Sequence, residues 1–181
     1  MKTFLQYLQE IFDTSAPVDA SVPHPDLHFQ NDQLSVYKNP EQKTEVYIKT
    51  GNSKDIPDYK KTFGLNRHFD RSSIIDFTVN DSYLKPVSGA LYDPERARIT
   101  TTPEESDNST NAMRAVFGAV HDHIMKYKPD AIFYETVSPK RHALYQRFSK
   151  RYRIPFYNSV YSLETMEKAR QEGRLADLDM F

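Results

Sequence analysis

The chain has 181 residues and no cysteine. Disulfides, thiolate metal sites and a thiol nucleophile are therefore excluded. This suits a reducing compartment without requiring one. Tryptophan is absent as well. The composition is only 38% hydrophobic, so the core must lean on 12 tyrosines and 11 phenylalanines. No apolar run approaches the roughly 20 residues of a membrane span, and no membrane partner is expected. The opening MKTFLQYLQEIF has one lysine and a mixed amphipathic pattern. It lacks the small-residue cleavage site of a secretory signal. Charge of one sign is also missing: 24 Lys and Arg face 25 Asp and Glu, for a net charge of −1. No whole-molecule attraction to nucleic acid or membrane follows, and any electrostatic function must come from a local patch.

What is present suggests one domain with modest extensions, large enough to bury roughly 70% of its unfolded surface. Residues 2–12 carry apolar side chains at helical spacing and predict a short amphipathic helix. Residues 13–35, with Pro17, Pro23 and Pro25, predict a linker or surface arm. We therefore expect an arm over 1–40 and a folded domain over 41–181. TEVYIKT (44–50) and SSIIDFTV (72–79) predict strands, with a loop after Gly51 and a possible short strand at Ala97–Thr101. Met113, Val116, Phe117, Val120, Ile124 and Tyr127 mark one face of a helix over about 110–127. AIFYETV (131–137) predicts a strand buried on both faces. Ser138 and Pro139 open a helix carrying Leu144, Phe148 and Tyr152, which Ile154-Pro155 stops. FYNSVYSL (156–163) predicts a final strand before a charged helix. The fold class is α/β or α+β: helices against a central mixed sheet.

Several residue patterns invite chemistry. His121-Asp122-His123 suggests a metal, but side chains two apart on a helix point about 200° apart and cannot chelate one ion. No metal site is expected, and no nucleophile-elbow pattern appears. Lys140, Arg141, Arg147, Lys150, Arg151 and Arg153 lie within fourteen residues that contain no acid. Lys140, Arg147 and Arg151 fall near one helix face. Together with Arg141 they form a candidate patch for phosphates or a partner, or simply a solvated face. Because the chain as a whole is not basic, nucleic acid is the less expected partner and a protein the more expected one. Glu135, on the 131–137 strand, is either a general base or a carboxylate paired at a strand end.

The segments IIDFTVNDSY, AMRAVFGAVHDHIMKYKPDAIFYE and SPKRHALYQRFSKRY resemble small GNAT-like proteins of tailed bacteriophages over roughly residues 70–160. That acetyltransferase fold runs from a cofactor helix to a strand, a helix with a Leu-Tyr pair and a last strand. The resemblance implies that Tyr145 could protonate a thiolate leaving group, and that Ser109, Thr110, Asn111 and Ala112 could hold the pyrophosphate of acetyl-CoA. A phenol near the sulfur can supply the proton, and a helix N-terminus offers free amides. The sequence departs from the family at that loop. EESDNSTNAMR has no glycine, and Glu104, Glu105 and Asp107 oppose a dianion. Tyr145 has a second reading as a packed core ring. MKTFLQYLQE also resembles the leaders of phage internal head proteins, which are cut after Leu/Ile-x-Glu, here after Glu10. Two functions are thus in view. One is a non-catalytic virion or protein-interaction component with no cofactor, placed in the host cytoplasm or virion. The other is an acetyl-CoA-dependent N-acetyltransferase.

Overall fold

A computed structural model describes residues 23–79 and 106–180. In chain order these form β1 (Leu27–Gln30), β2 (Leu34–Asn39), β3 (Thr44–Gly51), a 3-10 turn (Ser53–Asp55), α1 (Tyr59–Phe63) and β4 (Ser72–Val79). Then come α2 (Ser106–Tyr127), β5 (Ala131–Tyr134), α3 (Pro139–Tyr152), β6 (Phe156–Asn158), α4 (Val160–Gln171) and a second 3-10 turn (Leu175–Met180). The six strands form one sheet in sequence order. β1 to β4 are an antiparallel meander, and β4, β5 and β6 run parallel. The fold is α+β with a mixed sheet.

Alternation along β3 puts Val46 and Ile48 on one face and Glu45 and Tyr47 on the other. Cross-strand pairing carries the first face across the sheet: Tyr37 opposite Val46, Val46 opposite Phe77, Ile75 opposite Tyr134, and Ile132 opposite Phe156. Parallel strands joined through helices take right-handed crossovers. The strand order advances without reversal, so α2 and α3 fall on the same face. Val116 and Val120 of α2 and Phe148 of α3 share one core with Ile48 and Ile132. On the opposite face, Phe133 packs against Tyr59 and Phe63 of α1, with ring centroids 5.5 and 4.7 Å away. Farther along that face Glu45 is buried. Lys38 Nζ stands 3.0 Å from its Oε1, off the hydrogen-bond direction, and the Tyr47 hydroxyl donates to its Oε2.

Four stretches differ from expectation, three of them for a local reason. The arm expected through residue 40 is sheet from Leu27 onward. Asn31 Oδ1 accepts from the N–H groups of Gln33 and Leu34 and closes a tight β1–β2 turn. β5 stops at Tyr134 rather than Val137 because Asn158 takes over the next backbone. Its side chain accepts from Thr136 N–H at 3.0 Å and donates to Thr136 C=O at 2.7 Å. The strand expected through Leu163 stops at Asn158. Ser159 Oγ accepts from Ser162 N–H and caps α4, which outweighs the β preference of Val160 and Tyr161. A 3-10 turn and α1 occupy the stretch expected as loop. The helix at 2–12 and the strand at Ala97–Thr101 lie outside the described residues.

Ser138 caps α3 as expected, accepting from Arg141 N–H at 3.2 Å. Ser138→Ala should cost about 1 kcal/mol, a fall of roughly 2–4 °C in melting temperature for a chain of this size. Thermal unfolding of the variant checks this, and an unchanged melting temperature would remove the cap from the account.

Candidate functional site

The carboxyl ends of the parallel strands gather most of the chemistry. β4 and β5 stay in register only as far as Ile75 opposite Tyr134. β4 then continues to Val79, paired with β3, while β5 leaves the sheet. The N-termini of α3 and α4, which follow β5 and β6, open at this end. So does the start of α2, which returns the chain from β4 to β5. No reversal of strand order creates the crevice in which doubly wound α/β sheets usually hold ligands.

Sequence patterns did not point to the polar network that stands here. Gln146 Nε2 donates to Tyr134 Oη at 3.1 Å, and Tyr134 Oη lies 2.9 Å from His142 Nδ1. With the phenol donating onward, the remaining imidazole proton sits on Nε2. Burial lowers the pKa of His142. Burial also pushes the Tyr134 phenol up to about 12, against the opposing hydrogen bond from Gln146. The network is therefore neutral near pH 7. His142 and Gln146, one helical turn apart on α3, were its only trace in the sequence.

Tyr145 lies in the core, 4% exposed. Its ring stacks on Tyr134 with centroids 4.0 Å apart, and Phe77 and Phe156 close in at 6.5 and 6.2 Å. Burial raises its pKa well above the ordinary tyrosine value, outweighing the opposing charge of Arg141. Glu135 emerges at the surface where β5 ends. Partial burial raises its pKa, and repulsion from Asp76 adds to this. Asp76 acts on Tyr145 in the same direction. Ser109, Thr110, Asn111 and Ala112 are helical. Thr110, Asn111 and Ala112 sit beyond the first four residues of α2, where amide N–H groups are taken up by the helix ladder.

The basic residues of α3 separate into two sets. Lys140, Arg147, Lys150 and Arg151 are exposed. Arg141 turns inward, with its guanidinium 5.2 Å from the centroid of the Phe77 ring. The His121-Asp122-His123 run diverges, each residue to partners of its own. His121 Nδ1 meets the Tyr152 hydroxyl. Asp122 accepts from Tyr37 Oη at 2.9 Å and pairs with Lys126 at 2.7 Å. His123 Nε2 lies 2.8 Å from Ser73 Oγ, with both residues buried. Among the described residues no group of three His, Cys, Asp or Glu is placed to hold a metal ion, and no helix is long and apolar enough to cross a membrane. A concavity of about 430 Å³ lies between α4 and the last 3-10 turn. Glu164, Lys168, Glu172 and Arg174 line it with charges of both signs.

Comparison with protein-family models, characterised proteins and solved structures finds no match to this chain. Its class is thus the one its own geometry defines: an α+β domain with a six-stranded mixed sheet and a neutral polar network at the ends of its parallel strands.

Proposed function

We propose that this chain is a non-catalytic, GNAT-like interaction component encoded by a tailed bacteriophage, acting in the host cytoplasm or in the virion. One observation carries the non-catalytic part. The phenol that the resemblance assigns to proton delivery is packed among Tyr134, Phe77 and Phe156 and is held protonated by burial. A general acid must reach the atom it protonates, and a ring stacked at 4.0 Å inside a core is better suited to packing. The helical placement of Thr110, Asn111 and Ala112 supports the same reading, because laddered amides cannot cradle a pyrophosphate. The phage origin rests on the resemblance of residues 70–160 and of the opening MKTFLQYLQE, whose Leu8-Gln9-Glu10 lies outside the described residues.

The test is thermal unfolding with and without millimolar acetyl-CoA. No shift is expected. A ligand at about 100 times its dissociation constant would stabilise by roughly 2.7 kcal/mol, which is about 5–10 °C here. A shift of that size would replace this reading with the N-acetyltransferase one. Tyr145→Phe is expected to leave partner binding unchanged. Mass spectrometry of purified particles separates a virion component from a protein that stays in the host.

A further inference from the structure

We infer that the outer face of α3 binds the phosphate backbone of double-stranded nucleic acid, a property independent of whether the core is catalytic. Leu144, Tyr145 and Phe148 turn α3 onto the sheet. Lys140, Arg147 and Arg151 run along one edge of that packed face, with Lys150 about a quarter turn further round and Arg153 at the C-cap, all exposed. From Lys140 to Arg151 the stripe runs roughly 16 Å along a rigid axis. Residues 139–153 hold six Lys and Arg and no acid, so a chain of net charge −1 carries −7 elsewhere. Positive charge is thus concentrated in this one segment, which would steer a polyanion toward it.

The apolar side chains decide between kinds of polyanion. A protein partner needs a desolvated apolar or aromatic anchor at the centre of its interface. The large hydrophobics exposed among the described residues are Phe29, Met125, Tyr161 and Leu163, and none is on α3. The exposed non-cationic side chain in the stripe is Ala143. A single strand is held by aromatic platforms on which bases stack. Tyr152, the aromatic nearest the stripe, stacks on Phe148 and bonds His121 instead. Neighbouring cations without an apolar anchor or a free ring suit a phosphate backbone, where affinity comes from counterion release. Arginine, which dominates the stripe, forks onto phosphate oxygens. The low overall charge made nucleic acid the less expected partner, and the layout of this one face reverses that order.

Fluorescence anisotropy of a labelled 20-base-pair duplex of arbitrary sequence, titrated with the full chain from 50 to 200 mM salt, tests the inference. Neutralising about four phosphates predicts a slope of log K against log salt of about −3 to −4. Arg147→Glu with Lys150→Glu should weaken binding roughly tenfold or more at 50 mM salt and reduce the slope by about 2. The milder Arg147→Gln with Lys150→Gln should act in the same direction and guards against misfolding, as does an unchanged melting temperature. Lys168→Glu, on α4, should leave binding alone. No binding at 50 mM salt, a slope near zero, or equal binding by the α3 variants would overturn the inference. So would tighter binding of polyglutamate, which would assign the face to an acidic protein, or of a single strand of the same length.

Discussion

Phe148→Ala should lower the stability of the fold by about 3–5 kcal/mol, a fall on the order of 10 °C in melting temperature for a chain of this size. Phe148 is 1% exposed and joins three elements. Its ring meets Phe117 of α2 at 4.6 Å, Tyr152 of its own helix at 5.9 Å and Phe156 of β6 at 6.3 Å. With no tryptophan in the chain, phenylalanine and tyrosine supply the large rings of this core, and truncating this one removes contacts to both helices and to β6. Urea unfolding of the wild type and the variant measures the loss, with an unchanged slope showing that the folded states are comparable. Phe148→Leu, which keeps most of the volume, should cost less. A loss under 1 kcal/mol for the alanine variant would show that the α2–α3 seam is not the centre of the core. By contrast, Arg71 and Asp130 pair at 2.8 Å in the open, and removing that pair should leave stability almost unchanged.

The second large effect is acid sensitivity carried by His123. This residue is 3% exposed, stacks on Tyr127 and meets Ser73 Oγ at 2.8 Å. Burial pushes its pKa down to about 4, although the neighbouring Asp122 carboxylate pulls the other way. In the unfolded chain the imidazole titrates near 6.5. Between these two values the unfolded state binds the proton and the folded state does not, so stability falls as pH falls. The full loss is about 3 kcal/mol, of which about 2 kcal/mol is gone by pH 5. Below pH 4 this group contributes no further slope. Burial also lowers the pKa of His121 and His142, which act in the same direction, so His123→Gln should flatten the pH dependence without abolishing it. Asp130, Glu167 and Glu172, whose pKa values are lowered by hydrogen bonds from arginine partners, are exposed, so their protonation in acid adds little. Equal stability of the wild type at pH 7 and pH 5, or an unchanged slope in the variant, would defeat this account.

Much of the second half was legible because each element there carries its own local signals. The strand over residues 72–79 is bounded as its β-formers suggest, and α3 starts where Ser138 caps it and Pro139 opens it. The divergence of His121 and His123 also followed from helix geometry alone. The misjudged boundaries involve side chains acting on backbone. Asn158 binds Thr136 from 22 residues away and ends β5 early, while Ser159 turns a β-rich stretch into helix. β1 and β2 were obscured by the prolines before them. Their pairing is defined by β3 rather than by their own composition.

Fold class, the lack of any thiol and the concentration of cations between Lys140 and Arg153 were readable from the chain alone, because they depend on composition and on spacing within single elements. The placement of Tyr145 came from packing between elements. Its chemistry depends on whether its hydroxyl meets solvent or a core. That was fixed when β4, β5 and β6 aligned Phe77, Tyr134 and Phe156 around it. The same packing turned the apolar face of α3 inward and left its cations other than Arg141 outside, converting a charged run of sequence into a surface.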